Sequence, residues 1–136
     1  RVSAKLKKNK TKILGVTILT SLNSSQTKKY YNNQNVNQLV KKFAINAKKN
    51  NLDGIVCSPL EISTVRKEVG NKMLIVVPGI RLEKKQINKK DDQKRILTPK
   101  QAINLGADYL VIGRPIVESN NPLKILKEIN KSIIEK

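Results

Sequence analysis

The sequence predicts an α/β fold corresponding to the C-terminal half of a (β/α)8 TIM barrel, with about four strand–helix units. Four apolar runs alternate with helical patterns, at unit lengths of about 30–40 residues that suit right-handed crossovers in a parallel sheet. An open doubly wound sheet would satisfy the same alternation, but no GxGxxG or GxxxxGK(S/T) motif follows any run. A complete barrel needs about 250 residues. This chain has 136, so we expect residues 1–136 to be part of one barrel domain.

The first two units begin with apolar runs that read as buried strands. Lys12–Leu19 is the first run, and the polar stretch Asn23–Asn35 after it is predicted to be a loop. Val36–Asn50 carries apolar residues at three- and four-residue spacings, which predicts a helix with one buried face. Leu52–Cys57 is the second strand. The helix Ser58–Gly70 follows it, because serine, proline and glutamate at its start form a capping-box pattern.

The last two units follow the same order. Met73–Val77 is the third strand, and the polar segment Leu82–Ile96 after it is long enough to indicate a functional or mobile loop. Thr98–Leu105 is predicted to be a helix that the next glycine ends. Tyr109–Ile112 contains four consecutive apolar residues, which suits a strand covered on both faces. A final helix is predicted at Asn121–Glu135.

Composition limits the classes of function. The formal net charge is +18, but the lysines are scattered and aromatic residues make up only 3%. We therefore do not expect a nucleic-acid surface, since stacking residues do not accompany the charge. Cys57 is the only cysteine, which excludes an internal disulfide and suits a reducing compartment. No apolar run approaches the roughly 20 residues of a membrane span.

The residues that end the predicted strands indicate an anion-binding site. Sites of parallel α/β folds form at the carboxyl ends of strands. These ends carry hydroxyls, glycines and two arginines, at Thr20-Ser21, Cys57-Ser58, Pro78-Gly79-Ile80-Arg81 and Gly113-Arg114. Asp53 and Asp108 instead lie at strand beginnings, on the face that serves stability. The chain has no histidine, and no lysine or carboxylate ends a strand, so this half shows no evident general acid or base.

The last strand offers the best candidate for a phosphate ligand. Gly113 allows the backbone to approach a ligand closely because it has no Cβ. Arg114 carries a planar fork of donors that matches phosphate oxygens. The loops after the last two strands are also the usual phosphate position of such barrels.

Five motifs, in register along the chain, together resemble bacterial orotidine 5′-phosphate decarboxylases. They are Val16-Thr17-Ile18-Leu19-Thr20-Ser21, Asp53-Gly54-Ile55-Val56-Cys57-Ser58, Val77-Pro78-Gly79-Ile80-Arg81, Asp92-Gln93-Lys94-Arg95 and Val111-Ile112-Gly113-Arg114-Pro115. The resemblance covers essentially the whole chain and about the C-terminal half of the family's length. It implies a cytoplasmic homodimer, when full length, that converts orotidine monophosphate to uridine monophosphate in pyrimidine biosynthesis. It also implies that no metal or organic cofactor takes part.

The resemblance carries site roles to five positions. Arg114 and the N–H of Gly113 would hold the 5′-phosphate, and Gln93 would close over phosphate and base. Arg81 corresponds to a ligand-contacting arginine, and Thr20 would place its hydroxyl against the pyrimidine. Each residue also has an ordinary interpretation. Thr20 could simply end a strand, Gln93 could be solvated, and Arg81 could pair with an aspartate of the same loop.

The chain departs from the family in its catalytic residues. The family's Asp-x-Lys-x-x-Asp array, whose lysine protonates the carbanion left by carbon dioxide, has no counterpart here. Asp91, Asp92 and Lys94 are similar residue types, but they lie in the long loop and do not have the array's spacing. We therefore predict no catalytic residue in this chain. Because the chain opens on Arg1, we expect the array to lie before it, in a longer protein.

Two other functions remain open from the residues alone. A different phosphate-binding barrel enzyme could act on a sugar phosphate, and it would carry an acid or a metal ligand at one of these strand ends. A basic protein without enzymatic activity could bind polyanions with a strong dependence on salt.

Overall fold

The computed structural model describes residues 11–19, 22–32, 35–82 and 97–134. Its strands are β1 (Leu14–Val16), β2 (Gly54–Val56), β3 (Leu74–Pro78) and β4 (Tyr109–Val111). Its α-helices are α1 (Ser24–Tyr31), α2 (Val36–Lys49), α3 (Ile62–Val69), α4 (Pro99–Asn104), α5 (Arg114–Val117) and α6 (Pro122–Ile134), and a 3₁₀ turn at Pro59–Glu61 leads into α3. No helix in this part of the chain is long and apolar enough to cross a membrane.

The four strands form one parallel sheet in the order β1-β2-β3-β4. Each strand pairs with the next one along the chain, and α2, α3 and α4 lie in the connections between them. This is the repeated strand–helix order that the sequence predicted. The predicted positions of all four strands are confirmed, although β1, β2 and β4 are shorter than their apolar runs and β3 is shifted by one residue.

Within the described residues, helices cover only one face of this sheet. The core lies between that face and the helices, and its fully buried members include Val40, Ala44, Ile55, Ile62, Val65, Ile75 and Val77. The other face is open, and Tyr109 and Val111 of β4 are 57% and 53% exposed. The prediction that β4 is covered on both faces is therefore wrong for the described structure. An apolar run indicates contact on both sides, but it does not say which chain provides the second layer.

The predicted helices form where their caps are. Asn35 Oδ1 accepts the Gln38 N–H at 3.0 Å at the start of α2. Thr98 Oγ1 accepts the Gln101 N–H at 3.3 Å at the start of α4. Asn121 Oδ1 accepts an N–H in the first turn of α6. Each cap satisfies a backbone donor that the first turn leaves without a helical partner.

Two helical segments were not predicted. The stretch Asn23–Asn35 was expected to be a loop, but it contains α1. Its polar composition did not indicate a helix. The helix begins with a reciprocal cap, in which the Asn23 and Gln26 side chains each accept the other's backbone N–H, at 2.9 and 3.0 Å. The one-turn helix α5 was also missed, because four residues are too few to show a helical period.

Aspartates at the strand beginnings connect neighbouring strands. Asp53 Oδ2 accepts the N–H of Ile13 at 2.9 Å, and so joins the starts of β2 and β1. Asp108 Oδ2 accepts the N–H of Ile75 at 2.7 Å, and so joins β4 to β3. Both carboxylates thus satisfy backbone donors at the amino ends of the strands. The prediction that they serve stability is confirmed.

Arg66 of α3 strengthens the same end of the sheet. Its guanidinium donates to Asp108 Oδ2 at 2.6 Å and to the carbonyl oxygens of Gly70, Met73 and Gly106. Only 17% of the side chain is exposed. One planar group therefore holds the end of α3, the start of β3 and the turn before β4 together, a geometry that the single ammonium of lysine could not reproduce.

We expect Arg66→Ala to lower the free energy of unfolding by about 1.5–3 kcal/mol or more, because it removes several charge-assisted hydrogen bonds at once. Urea unfolding followed by circular dichroism, at one protein concentration, measures this. Lys67→Ala is the matched control, since Lys67 is the next residue, basic and exposed. Equal unfolding free energies for the two variants would contradict the structural role of Arg66.

Candidate functional site

The parallel register brings the two predicted arginines to one edge of the sheet. Pro78 of β3 pairs with Val111 of β4. Arg81 and Arg114 each follow three residues beyond that pair. Because parallel neighbours run in the same direction, both arginines leave the sheet at its carboxyl edge. The structure thus places these two site residues at the end where the sequence predicted a site.

Gly113 and Arg114 form the start of the one-turn helix α5. Gly113 is the N-cap residue, and its carbonyl oxygen accepts the N–H groups of Ile116 and Val117 at 2.9 and 3.1 Å. Pro115 suits the first turn because it has no N–H to satisfy. The chain therefore turns directly from β4 into a helix start, with the half-buried Arg114 as its first residue.

No steric clash within the described part of the chain excludes a side chain at position 113, because a Cβ built there would meet no atom within 4 Å. Gly79 differs, because its φ of +77° lies in the left-handed region that favours glycine. The space above Gly113 is thus available to a ligand that approaches the backbone.

Arg81 is buried, with 6% of its surface exposed. Its Nη1 donates to the Ile80 carbonyl oxygen at 2.9 Å. Its backbone N–H donates to the Leu97 carbonyl oxygen at 3.0 Å, and Ile80 forms a parallel bridge with Leu97. The long loop predicted at Leu82–Ile96 therefore leaves and rejoins the sheet at one point, beside a buried guanidinium.

The first two strands are also tied together at this edge. Thr17 donates to the Val56 carbonyl oxygen through both its N–H, at 3.0 Å, and its hydroxyl, at 2.9 Å. The Ser58 N–H donates to Glu61 Oε2 at 3.2 Å, which is the glutamate half of the expected capping box. Cys57 is buried and is not in a disulfide. These contacts fix the carboxyl ends of β1 and β2 relative to each other.

Glu61 is a carboxylate at the carboxyl edge that the sequence reasoning treated only as part of a cap. The structure shows it 1% exposed. No sequence signal predicted this burial, because a capping glutamate is normally solvated.

Two of the five predicted site residues, Thr20 and Gln93, lie outside the described residues. The same holds for residues 1–8, which the sequence predicts to be helical, and for the aspartates offered as alternative partners of Arg81. The other three predicted site residues, Arg81, Gly113 and Arg114, follow the carboxyl ends of the adjacent strands β3 and β4.

Comparison with known proteins agrees with this geometry. A model of the orotidine 5′-phosphate decarboxylase / HUMPS family matches residues 2–129. The chain belongs to this family. The resemblance proposed from the five sequence motifs is confirmed.

Curated relatives within the decarboxylase family are similar over nearly the whole chain. The orotidine 5′-phosphate decarboxylase of Coxiella burnetii (strain RSA 331 / Henzerling II) is 48% identical over 126 residues, which are 93% of this chain and 52% of that protein. The decarboxylase of Actinobacillus pleuropneumoniae serotype 5b is 44% identical over 121 residues, covering 89% of this chain and 51% of that protein. The chain thus spans about half the length of the curated relatives it matches.

Solved decarboxylase structures share the fold. The crystal structure from Lactobacillus acidophilus has 31% identity and a TM-score of 0.73, and the match covers 91% of this chain and 50% of that one. The Methanocaldococcus jannaschii enzyme, crystallised with the inhibitor BMP, has a TM-score of 0.66 at 19% identity, which supports the fold alone. The four strand–helix units are therefore about half of a decarboxylase TIM barrel.

The statement that the loop segment lacks the spacing of the family's catalytic array needs one correction. Asp92 and Lys94 do have the Asp-x-Lys spacing of the array, so the spacing differs only at its last position. That position is Leu97, which bridges Ile80 at the base of the loop. An apolar residue thus replaces the second aspartate of the array, and the conclusion that the array is incomplete is unchanged.

We expect the Cys57 thiol to be unreactive in the folded chain, because it is 1% exposed and a buried structural thiol is inert. Reaction with Ellman's reagent should be at least about tenfold slower than in the urea-unfolded chain. Leu60→Cys provides the control, since Leu60 is 60% exposed in the same connection. That variant should show one fast and one slow thiol. A fast Cys57 in the unmodified chain would argue against a packing role.

Proposed function

We propose that this chain provides the phosphate- and base-binding half of an orotidine 5′-phosphate decarboxylase. The enzyme would convert orotidine monophosphate to uridine monophosphate and carbon dioxide. The observation that carries this proposal is the pair of arginines on adjacent parallel strands beside an open Gly113, in a chain that belongs to the decarboxylase family.

The phosphate would lie at the start of α5. Arg114 would donate to two phosphate oxygens through its planar guanidinium, and the Gly113 N–H would donate to the same group. The absence of a Cβ at position 113 keeps this approach open. Arg81, at the end of the neighbouring strand, would add positive charge from a largely dehydrated position, where an electrostatic interaction is stronger than in water.

Gln93 and Thr20 complete the proposed site. Gln93 belongs to the loop whose two ends meet at Ile80 and Leu97. A loop closed at its base can cover a ligand without disturbing the sheet beneath it. Gln93 would reach the phosphate and base from that loop, and Thr20 would place its hydroxyl against the pyrimidine ring.

The chemical step would need residues beyond this chain. Loss of carbon dioxide leaves a carbanion, which the family stabilises with preorganised charge and protonates with the lysine of its array. Since Leu97 interrupts the only similar segment, the chain would hold and orient the substrate while other residues supply the proton. We further infer a cytoplasmic homodimer for the whole enzyme. The single cysteine, Cys57, suits a reducing compartment, and the dimer follows from the resemblance alone.

A chimera tests the proposal directly. The matched residues of this chain would replace the corresponding stretch of the Coxiella burnetii relative, which supplies the remaining half. We expect the chimera to form uridine monophosphate and to restore growth without uracil in a bacterial strain that lacks the decarboxylase. The 136-residue chain alone should form none, because it lacks the proton donor.

The chimera also separates this proposal from its alternatives. A folded chimera that binds uridine monophosphate but does not decarboxylate orotidine monophosphate would contradict the proposal. It would favour another phosphate-binding barrel enzyme. Binding that falls steeply with salt and shows no preference for a pyrimidine nucleotide would indicate a polyanion binder.

We expect Arg114→Ala in the chimera to weaken uridine monophosphate binding by about one to two orders of magnitude, because a charge-assisted hydrogen bond contributes roughly 1.5–3 kcal/mol. Uridine, which lacks the phosphate, should bind almost unchanged. Arg114→Lys should recover part of the loss, since an ammonium keeps the charge but not the fork. Calorimetric titration of both ligands measures these effects.

Lys124→Ala is the control for net charge, because Lys124 is an exposed lysine of α6. It should leave both affinities unchanged. If Arg114→Ala weakened nucleotide and nucleoside equally, Arg114 would be structural and the phosphate would bind elsewhere.

A further inference from the structure

A cavity of about 610 Å³ opens at the amino edge of the sheet, at the opposite end of the strands from the candidate site. Its walls come mainly from the turn that joins α2 to β2 and the turn that joins α3 to β3. Ligand pockets in proteins commonly measure about 300–1,000 Å³, so this cavity is large enough for a small molecule. The polar residues that line it are Lys12, Lys48, Asn51, Asp53, Asn71 and Lys72. We call it the amino-edge cavity.

The amino-edge cavity is formed by this chain itself. Further barrel strands would add beside β1 and β4, which are the outer strands of the described sheet, and not across the starts of β2 and β3. Those starts are fixed by hydrogen bonds on both sides of Asp53. Its Oδ2 accepts the Ile13 N–H at 2.9 Å, and its carbonyl oxygen accepts the Leu74 N–H at 3.0 Å. The walls of the cavity are therefore held in place by the register of the sheet.

Three lysines from three different parts of the chain line the cavity. Lys12 precedes β1, Lys48 lies in the last turn of α2, and Lys72 lies in the turn before β3. All three are exposed. Asp53 is the one carboxylate among the described residues that line the cavity, and it is already bound to a backbone N–H. The cavity therefore carries an excess of positive charge, which attracts anions.

Lys48 is held in position by a contact with the end of α3. Its Nζ donates to the Glu68 carbonyl oxygen at 2.9 Å. The Glu68 carboxylate pairs instead with Lys41, whose Nζ lies 2.8 Å from Glu68 Oε1. A lysine ammonium has three donors, so two donors of Lys48 remain for a ligand. The contact thus fixes the position of one cationic group at the wall of the cavity.

Lys12 and Lys72 have no comparable structural role. Within the described residues, neither side chain forms an ion pair or a hydrogen bond. Neither lies inside a helix. The carbonyl groups at the end of α3, which would favour a nearby cation, are already bound by Arg66 and Lys48. The charges of Lys12 and Lys72 are therefore available to a ligand in the cavity.

We propose that the amino-edge cavity is a binding site for a small molecule that carries a polyphosphate group. Lysine binds phosphate as a point charge, and three lysines around one cavity suit a group with several negative charges. The side-chain amides of Asn51 and Asn71 would donate to phosphate oxygens. Inorganic tripolyphosphate and nucleoside triphosphates share this chemistry. The site is separate from the proposed decarboxylase site and does not depend on that function.

The remaining wall of the cavity is partly apolar. Leu52 and Leu74 line it, and both are half-buried, so each presents some apolar surface to the cavity. Such a wall can contact the base or sugar of a nucleotide, whereas inorganic polyphosphate has no apolar part. Comparison of the two ligands therefore identifies which source of polyphosphate the cavity prefers.

Calorimetric titration with inorganic tripolyphosphate at one salt concentration tests the site. Every chain would carry Arg114→Ala, which removes the proposed phosphate ligand at the opposite edge. We expect saturable binding of one molecule per chain. The double substitution Lys12→Gln and Lys72→Gln should weaken it about tenfold, the loss expected for two partly exposed charge pairs. Tighter binding of adenosine triphosphate than of tripolyphosphate would identify a nucleotide as the preferred ligand, and weaker binding would identify inorganic polyphosphate.

The double substitution Lys42→Gln and Lys124→Gln is the matched control. It removes the same charge, and both lysines are exposed on helices outside the cavity. It should change the affinity for tripolyphosphate by less than about twofold. Equal losses in the two double variants would show that net charge alone attracts the anion, and absence of saturable binding would show that no site exists. Either result would overturn the proposal.

Amide chemical shifts test the location of binding independently of its strength. In the Arg114→Ala chain, tripolyphosphate should change most strongly the shifts of residues 50–53 and 70–74, the two turns that form the cavity. The Lys12→Gln and Lys72→Gln substitutions should remove most of these changes at the same ligand concentration. Largest changes at the carboxyl edge, or changes of similar size on all helices, would refute a site in the amino-edge cavity.

Discussion

The parallel pairing of β3 with β4 is the constraint on which the candidate site depends. Val76 lies opposite Tyr109, and Pro78 lies opposite Val111. This register places the residues three positions further on, Arg81 and Arg114, at the same edge. Since side chains alternate along a strand, a slip of one residue would send one set of side chains to the opposite face of the sheet. The two arginines share this edge only while the register holds.

The register is maintained from the opposite end of the strands. Asp108 accepts the N–H of Ile75, and Arg66 binds both Asp108 and the carbonyl oxygens of the surrounding turns. In these contacts, charged side chains form hydrogen bonds with backbone atoms. They therefore stabilise one particular register of the strands. The contacts that stabilise the register therefore lie at the opposite end of the strands from the proposed binding site, which leaves that end free to carry residues that contribute little to folding.

The described carboxyl edge has groups suited to binding an anion but no evident proton donor. This edge combines a buried arginine, a half-buried arginine and an open glycine. Such an edge can neutralise and orient an anion. A decarboxylation further requires charge arranged around a developing carbanion and a group that donates a proton. The described edge has no lysine, and its buried carboxylate, Glu61, accepts the Ser58 N–H. In barrel enzymes, binding residues and catalytic residues can come from different strands, because every strand ends at the same active site.

Much of the fold was determined by local sequence. Apolar runs located all four strands, and caps at Asn35, Ser58 and Thr98 located helix starts, because both signals act over a few residues. Local composition also gave one wrong prediction. The polar segment that contains α1 was predicted to be a loop, but a reciprocal cap that composition does not indicate stabilises a helix there. The arginine and glycine of the candidate site were likewise recognisable from their position after the last strands.

Only the tertiary structure decided three other features. It showed that Arg81 is buried at the base of a loop whose two ends meet, because the Ile80–Leu97 bridge joins residues far apart in sequence. It showed that Arg66 serves three elements at once. It also showed that, in the described part of the chain, one face of the sheet is uncovered although it carries apolar residues such as Val16 and Val111. The sequence by itself determined which residues are apolar and therefore favour burial. Whether these residues are buried depends on how many strands pack around them, which is a property of the assembled sheet.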